Sequence, residues 1–353
     1  MLKRLLAALL LAGLIHFPSA AQTVPGAEWA RTTPEMAGWD PALVDEARSY
    51  SRTIGTASFM IVQHGVVIAS WGDITDRLEL HSVRKSLLSA LIGIAVSEKK
   101  IDLHATLAQL GIDDNPPALT DAEKQATVQQ LLEARSGVYH PALYETPGER
   151  RRRPERGSHP PGTFWYYNNW DFNALGDIYE HAEKQSIFAA FQTRIATPIG
   201  MQDYRPSDGR YVTGLDSIHP AYPFHMSARD LARFGLLYLH HGVWQDSAGR
   251  DMRIVPAAWV HDSTQPISRS YLDTGYGYLW WTAFASDWAE VMDMPPGGFW
   301  ADGAKGQFIA VDPASDLVVV HQTNGASVTN KQFGHLMWLI LRAAHAPDPG
   351  HDP

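Results

Sequence analysis

Ser82-Val83-Arg84-Lys85 opens an apolar run that reaches about Lys99 and has the length of a helix. One helical turn separates the serine and the lysine, so hydroxyl and amine share a face. A serine alone is a poor nucleophile, and a neighbouring base makes it a competent one. Val83, Leu87, Leu91, Ile94 and Ala95 recur at helical spacing behind the pair. That apolar face predicts a buried central helix with a polar pair at its start. Ser and Lys are common residues, and a capped surface turn would match the same four letters, so the rest of the chain has to decide.

Upstream, residues 41–53 are patterned as a helix, and Ser58 to Trp71 reads as two β-rich runs folded about Gly65. Downstream, residues 100–265 are mostly helical pattern broken by Pro and Gly. Helices are predicted at Ala122–Glu133, Asp171–Glu183 and Ser227–Leu239, the last capped by Ser227. Strand character returns late. Tyr276–Thr282 is aromatic-rich, and Phe308–Val311 and Leu317–His321 flank the turn Asp312-Pro313-Ala314-Ser315-Asp316. Residues 330–344 form a closing amphipathic helix. Strands at both ends with helices between them predict an α+β plan. The terminal strands make one antiparallel sheet, flanked by helices, and a helical lobe of residues 100–265 leaves a cleft against it. One domain is expected over residues 22–346, with a frayed tail at 347–353.

The chain has 353 residues, 45% hydrophobic and 19% charged, with a formal net charge of −9. That is an ordinary globular composition, and no broad basic field recommends nucleic acid as a partner. The dense cluster Arg150 to Arg153 with Arg156 sits among Pro147, Pro154 and Gly157 and reads as a solvated loop, the alternative being a cleft rim that favours an anionic substrate. There are no cysteines, which excludes disulfides and thiolate chemistry. Sixteen histidines are present, but none has a metal-ligand spacing, so neither metal nor cofactor is expected. Lys3 and Arg4 precede an apolar run to Phe17, and Pro18-Ser19-Ala20-Ala21 is a cleavage pattern ahead of Gln22. Residues 1–21 therefore read as a signal peptide, too short to span a membrane. Its removal takes the charge from −9 to −11. The expectation is a periplasmic or secreted protein without stable membrane insertion. The sequence carries no feature that sets an oligomeric state.

Two further segments carry chemistry. Tyr167-Asn168-Asn169 follows the Pro161-Gly162 turn, and in an extended loop Tyr167 and Asn169 face one side. A phenol beside a lysine ammonium ionises more easily and can take a serine proton. A lone tyrosine is more commonly a hydrogen-bonded core residue. Ala301-Asp302-Gly303-Ala304-Lys305-Gly306-Gln307 precedes a late strand, and its glycines allow a ligand close to the backbone. Trp165, Trp170, Trp280 and Trp281 read either as cleft walls or as core. Tyr139 and His140 follow Ser136-Gly137 and are candidates to reach the cleft. His81 reads as packing beneath the nucleophile.

Taken in order, these pieces resemble the serine β-lactamase and penicillin-binding-protein superfamily. They are most similar to its class C β-lactamase-related hydrolases, which include esterases, D-amino-peptide hydrolases and 6-aminohexanoate-dimer hydrolase-like amidases. Ser82-Val-Arg-Lys resembles the nucleophile motif. Leu131-Leu-Glu-Ala-Arg-Ser-Gly137 resembles an LL-x-x-x-SG segment. Pro161-Gly162 through Tyr167-Asn168-Asn169 to Leu175-Gly176 resembles the PG…Y-x-N…LG block. Pro198-Ile-Gly-Met201, Ser227 to Gly235 and Gly275 to Trp281 are also similar to family segments. The resemblance covers residues 55–325. It implies Ser82 as nucleophile, Lys85 as its activator and Tyr167 as general base and acid. It also implies that Asn169 holds Lys85 and the substrate amide, with an oxyanion hole at the N–H groups of Ser82 and Ala304 beside Gly303. Trp170 is counted with the substrate-binding residues.

The family's third motif is commonly Lys-Thr-Gly or His-x-Gly, whereas this chain has Ala301-Asp302-Gly303. Lys305 is expected to point elsewhere if the strand is regular. The functional expectation is an exported serine hydrolase that cleaves small esters or amides through an acyl-enzyme on Ser82. The alternatives are a β-lactamase or D-Ala carboxypeptidase, and a non-catalytic binding protein on the same fold.

Overall fold

The computed structural model describes residues 24–344. The predicted signal peptide and the tail at 347–353 lie outside the described residues. Helix α1 (Pro41–Thr53) begins where Asp40 Oδ1 accepts from Ala42 N at 2.8 Å, with proline at the first helical position. Strands β1 (Thr56–Gln63) and β2 (Val66–Gly72) turn at His64 and Gly65, both at positive φ, as a two-residue hairpin requires.

Six more strands complete one antiparallel sheet: β3 (Ser268–Arg269), β4 (Gly275–Tyr276), β5 (Trp281–Thr282), β6 (Phe299–Gly303), β7 (Gln307–Asp312) and β8 (Leu317–Thr323). The order is β2-β1-β8-β7-β6-β5-β4-β3, so the N-terminal hairpin pairs with the last strand. Register runs from Thr56 opposite Thr323 to Gln63 opposite Leu317. In β7 and β8 every residue is buried, although successive side chains point to opposite faces. Both faces are therefore covered. Phe308 stacks on Phe333 of α6 (Asn330–Ala344) at 4.3 Å. On the other face α5 (Ala228–Leu239) lies so close that a Cβ on Gly235 would fall 2.6 Å from Val318.

Between β2 and β3 most of the regular elements are helices, joined by irregular segments. Helix α2 (Arg84–Ser97) is buried from Arg84 to Ala95. Its polar side chains are tied down, Ser86 and Ser89 each donating at 2.8 Å to the carbonyls of Leu279 and Tyr278.

Two expected elements come out differently. Residues 122–133 are not one helix. Thr127 breaks the run by capping Val128–Leu132 in a reciprocal box with Gln130, and Glu123–Gln125 is a separate 3-10 turn. Tyr276–Thr282 is folded in two rather than extended. Gly277 sits where a Cβ would meet the Ser263 carbonyl at 2.2 Å, and Leu279 takes a φ of +64°.

Candidate active site

His81–Val83 form a single 3-10 turn leading into α2, which puts Ser82 at the helix mouth and Lys85 in its first turn. Lys85 Nζ lies 2.7 Å from Ser82 Oγ and 2.9 Å from the Tyr167 hydroxyl. Ser82 is half-buried, while Lys85 and Tyr167 are buried. Asn168 accepts from Trp170 N to cap α4 (Asn169–Glu183), and this fixes Tyr167 immediately upstream. The Tyr167 ring stacks on Trp281 at 5.5 Å and meets Phe172 edge-on at 5.0 Å.

Burial governs protonation here. Desolvation, joined by the Arg84 guanidinium, holds the Lys85 amine well below the usual lysine range, against the opposing pull of Glu149 and Asp302. Desolvation, with Tyr276 and Glu149, pushes the Tyr167 phenol well above its ordinary value. Burial therefore keeps the proton on the Tyr167 phenol and eases its loss from the Lys85 amine. The expected easier ionisation of the phenol beside the lysine is opposed by burial, because a charged pair would have to be desolvated. Arg84 is itself buried. It sits over the Tyr222 ring at 4.3 Å, and its Nη2 donates to Asn173 at 3.4 Å.

A cleft of about 380 Å³ opens onto Ser82 and Tyr167. Its walls include His81, Tyr144, Glu149, Arg152, Tyr271, Trp281, Asp302, Ala304 and Lys305. The end of β6 abuts the nucleophile turn. A Cβ on Gly303 would lie 2.3 Å from the Leu80 carbonyl and 3.3 Å from Ser82 N. Ala304 follows on the cleft wall, so Ser82, Gly303 and Ala304 come together as expected from the sequence.

Several expected placements differ. Asn169 does not reach Lys85. Its Nδ2 donates to Glu149 at 3.2 Å, because Asn169 is already inside α4. Trp170 lies outside the cleft wall. It is fully buried, and its Nε1 donates to Asp114 at 2.7 Å. Tyr139 and His140 are also buried, and His140 lies 3.4 Å from the same Asp114. Lys305 does reach the cleft, since β6 ends at Gly303 and Lys305 turns at φ +69°. The arginine cluster is a short helix, α3 (Pro147–Arg152), not a loop. Arg153 and Arg156 pair with Glu145 and Glu123, and Arg152 lies 4.8 Å over the Tyr271 ring in the cleft.

Glu149 was not singled out from the sequence. Its backbone N–H donates to Thr146 Oγ1 at 3.2 Å, and its Oε2 accepts from Thr146 N at 2.6 Å. The Thr-x-x-Glu spacing of this capping box was the available signal. Asp302 accepts from Asn330 Nδ2 at 2.7 Å, and burial raises its carboxyl to about 6.

A family model described as Beta-lactamase matches residues 42–340. The chain belongs to the Beta-lactamase family. This is a family of serine hydrolases. Among solved structures, the chain is similar to a Bacillus anthracis protein assigned as a 6-aminohexanoate-dimer hydrolase. They share 21% identity at a TM-score of 0.63, over 85% of this chain and 81% of that one. It is similar to a penicillin-binding protein homologue from Caulobacter crescentus at 16% identity and a TM-score of 0.62, over 86% and 97%. A family VIII carboxylesterase matches at 16% identity and 0.63, again over 86% and 97%. At such identities the likeness is one of fold. Among the described residues no helix is long and apolar enough to cross a membrane.

Proposed function

We propose that this chain is an exported serine hydrolase that cleaves small ester or amide bonds through an acyl-enzyme on Ser82. The observation that carries this reading is the buried Lys85 amine lying within hydrogen-bond distance of both Ser82 Oγ and the Tyr167 hydroxyl. A neutral amine can take the Ser82 proton as Oγ bonds to the carbonyl carbon. Tyr167 then protonates the leaving alkoxide or amine and regains its proton from Lys85. The N–H groups of Ser82 and Ala304 are the candidate donors to the oxyanion. A binding module has no need of a desolvated lysine against a serine.

Small esters and linear amides are favoured over β-lactams. A β-lactam carries a carboxylate, and the strand position that commonly holds a cation in this family holds Ala301 here, with the Asp302 carboxyl next to it. A lost charge-assisted hydrogen bond is worth ~1.5–3 kcal/mol, or one to two decades in kcat/KM. Lys305 and Arg152, both on the cleft wall, are cations that favour β-lactam turnover.

The test is kcat/KM for p-nitrophenyl butyrate, a small linear amide and nitrocefin on one preparation, with fluorophosphonate labelling alongside. Labelling on Ser82, lost in Ser82→Ala together with ~10⁶ in turnover, is the expected result. Nitrocefin turnover above ~10⁵ M⁻¹s⁻¹ beside feeble esterase activity would give the β-lactamase reading instead. A folded chain that stays unlabelled would make it a binding protein.

A further inference from the structure

A second hydrogen-bonded chain ends beside the nucleophile. His81 lines the cleft with Ser82 and Ala304 and is half-buried. Its backbone sits at φ +47°, and that of Tyr144 at φ +65°. Tyrosine rarely adopts this region, although histidine does so more readily, and such strain persists where the surroundings impose it. The Leu80 N–H bonds to the Phe224 carbonyl at 2.9 Å and the Val83 N–H to the Leu80 carbonyl at 3.1 Å, so the backbone on both sides of His81 is pinned.

His81 Nδ1 lies 3.2 Å from the Tyr144 hydroxyl, and Tyr144 donates that hydroxyl's one proton to Glu79. The Tyr144 oxygen is then left to accept. The imidazole proton accordingly sits on Nδ1, and Nε2 keeps its lone pair. Among the described residues Nε2 has no hydrogen-bond partner. The charged and titratable groups facing the ring are Glu79, Lys305, Arg84 and His225. Burial, with the cations among them, outweighs Glu79 and keeps the ring neutral near pH 7. Burial and Glu79 push the Tyr144 phenol up, so it keeps the proton it donates. Lys85 is buried behind Ser82 and does not line the cleft, whereas the half-buried His81 ring borders it beside Ser82.

We propose that His81 is the catalytic base of deacylation, with Tyr144 and Glu79 as its positioning residues. This rests on the acyl-enzyme reading of Ser82. A cleft water gives a proton to His81 Nε2 as its oxygen bonds to the acyl carbon. The imidazolium returns that proton to Ser82 Oγ as the C–Oγ bond breaks, and the carboxylic acid leaves. Acylation uses Lys85 and Tyr167 and does not need the imidazole.

The test is stopped-flow release of p-nitrophenol from p-nitrophenyl butyrate, with intact mass of the quenched enzyme. His81→Asn removes the base and keeps a residue that tolerates the left-handed backbone. The burst rate should stay within about threefold of wild type, the steady state should fall ~10²-fold or more, and a butyryl adduct should accumulate on Ser82. Tyr144→Phe should give a smaller loss in the same step only. A His81→Asn enzyme with wild-type steady-state turnover, or with burst and steady state slowed alike, would overturn the assignment. If His81→Asn does not fold, Tyr144→Phe decides, and wild-type deacylation in it overturns the proposal. A wild-type chain that forms no acyl-enzyme and takes no fluorophosphonate label refutes the Ser82 reading, and this inference with it. Normal wild-type turnover beside an unaffected His81→Asn refutes this inference alone.

Discussion

Lys85 and Tyr167 act on one proton, and their burial sets how they fail. The Lys85 amine lies 4.7 Å from the centre of the Tyr167 ring and 5.0 Å from that of Phe172, so aromatic faces replace its water. Lys85→Ala and Tyr167→Phe should each cost several decades in kcat/KM. The double variant should be little worse than either single, since residues that act as a unit are non-additive. Losses that multiply would separate their roles. Asp302 supplies a second prediction at this scale. Burial raises its carboxyl to about 6 from an ordinary 3.8, so the folded chain holds a proton that the unfolded chain releases. That contribution to stability is present at low pH and is lost as pH rises from about 4 to about 6. Relative to Asp302→Asn, the wild type should lose ~2–3 kcal/mol of unfolding free energy across that window, measured by urea melts. A constant difference between the two would contradict it.

The oxyanion side of the site depends on how tightly one strand meets one turn. Gly303 ends β6 at a place where any Cβ would strike the Leu80 carbonyl. Gly303→Ala should push the strand off the nucleophile turn and cost ~1–3 kcal/mol of stability. A shift approaching 1 Å at the donors would cost ~10² in kcat, and thermal melts beside kcat separate the two losses. Elements with local signals were legible in the sequence. Residues 41–53 and 330–344 are helices with the expected bounds, and both flanking hairpins turn where Gly65 and Asp312–Asp316 said they would. The Ser82–Lys85 spacing is also local, and Tyr167 could be found through the order of collinear motifs. Tyr144 could not, because it meets Glu79 and His81 across more than sixty residues of chain. Trp170 was misread because an aromatic flanking a motif has the same sequence whether it faces a cleft or, as here, Asp114.

For the whole molecule, the sheet's topology matters more than any one contact. If residues 1–21 are removed as the sequence indicates, intact mass of exported material should place the N-terminus at Gln22, and a chain retaining Met1 would refute it. The hairpin at residues 56–72 gains its partner on the other side only when 317–323 arrives. The nucleophile turn is walled by β6, which pairs with β7, and β7 pairs in turn with β8. Contacts of such long sequence separation form late and slowly. During synthesis β1 therefore waits with an open edge while some 250 residues follow it, and open edges of this kind invite intermolecular pairing. A ribosome-bound chain that stops short of residue 317 has a nucleophile but no closed site around it. Hydrolytic competence should switch on in a single step once β8 has joined the sheet, and every C-terminal truncation into β8 should behave as an unfolded polypeptide rather than as a weakened enzyme.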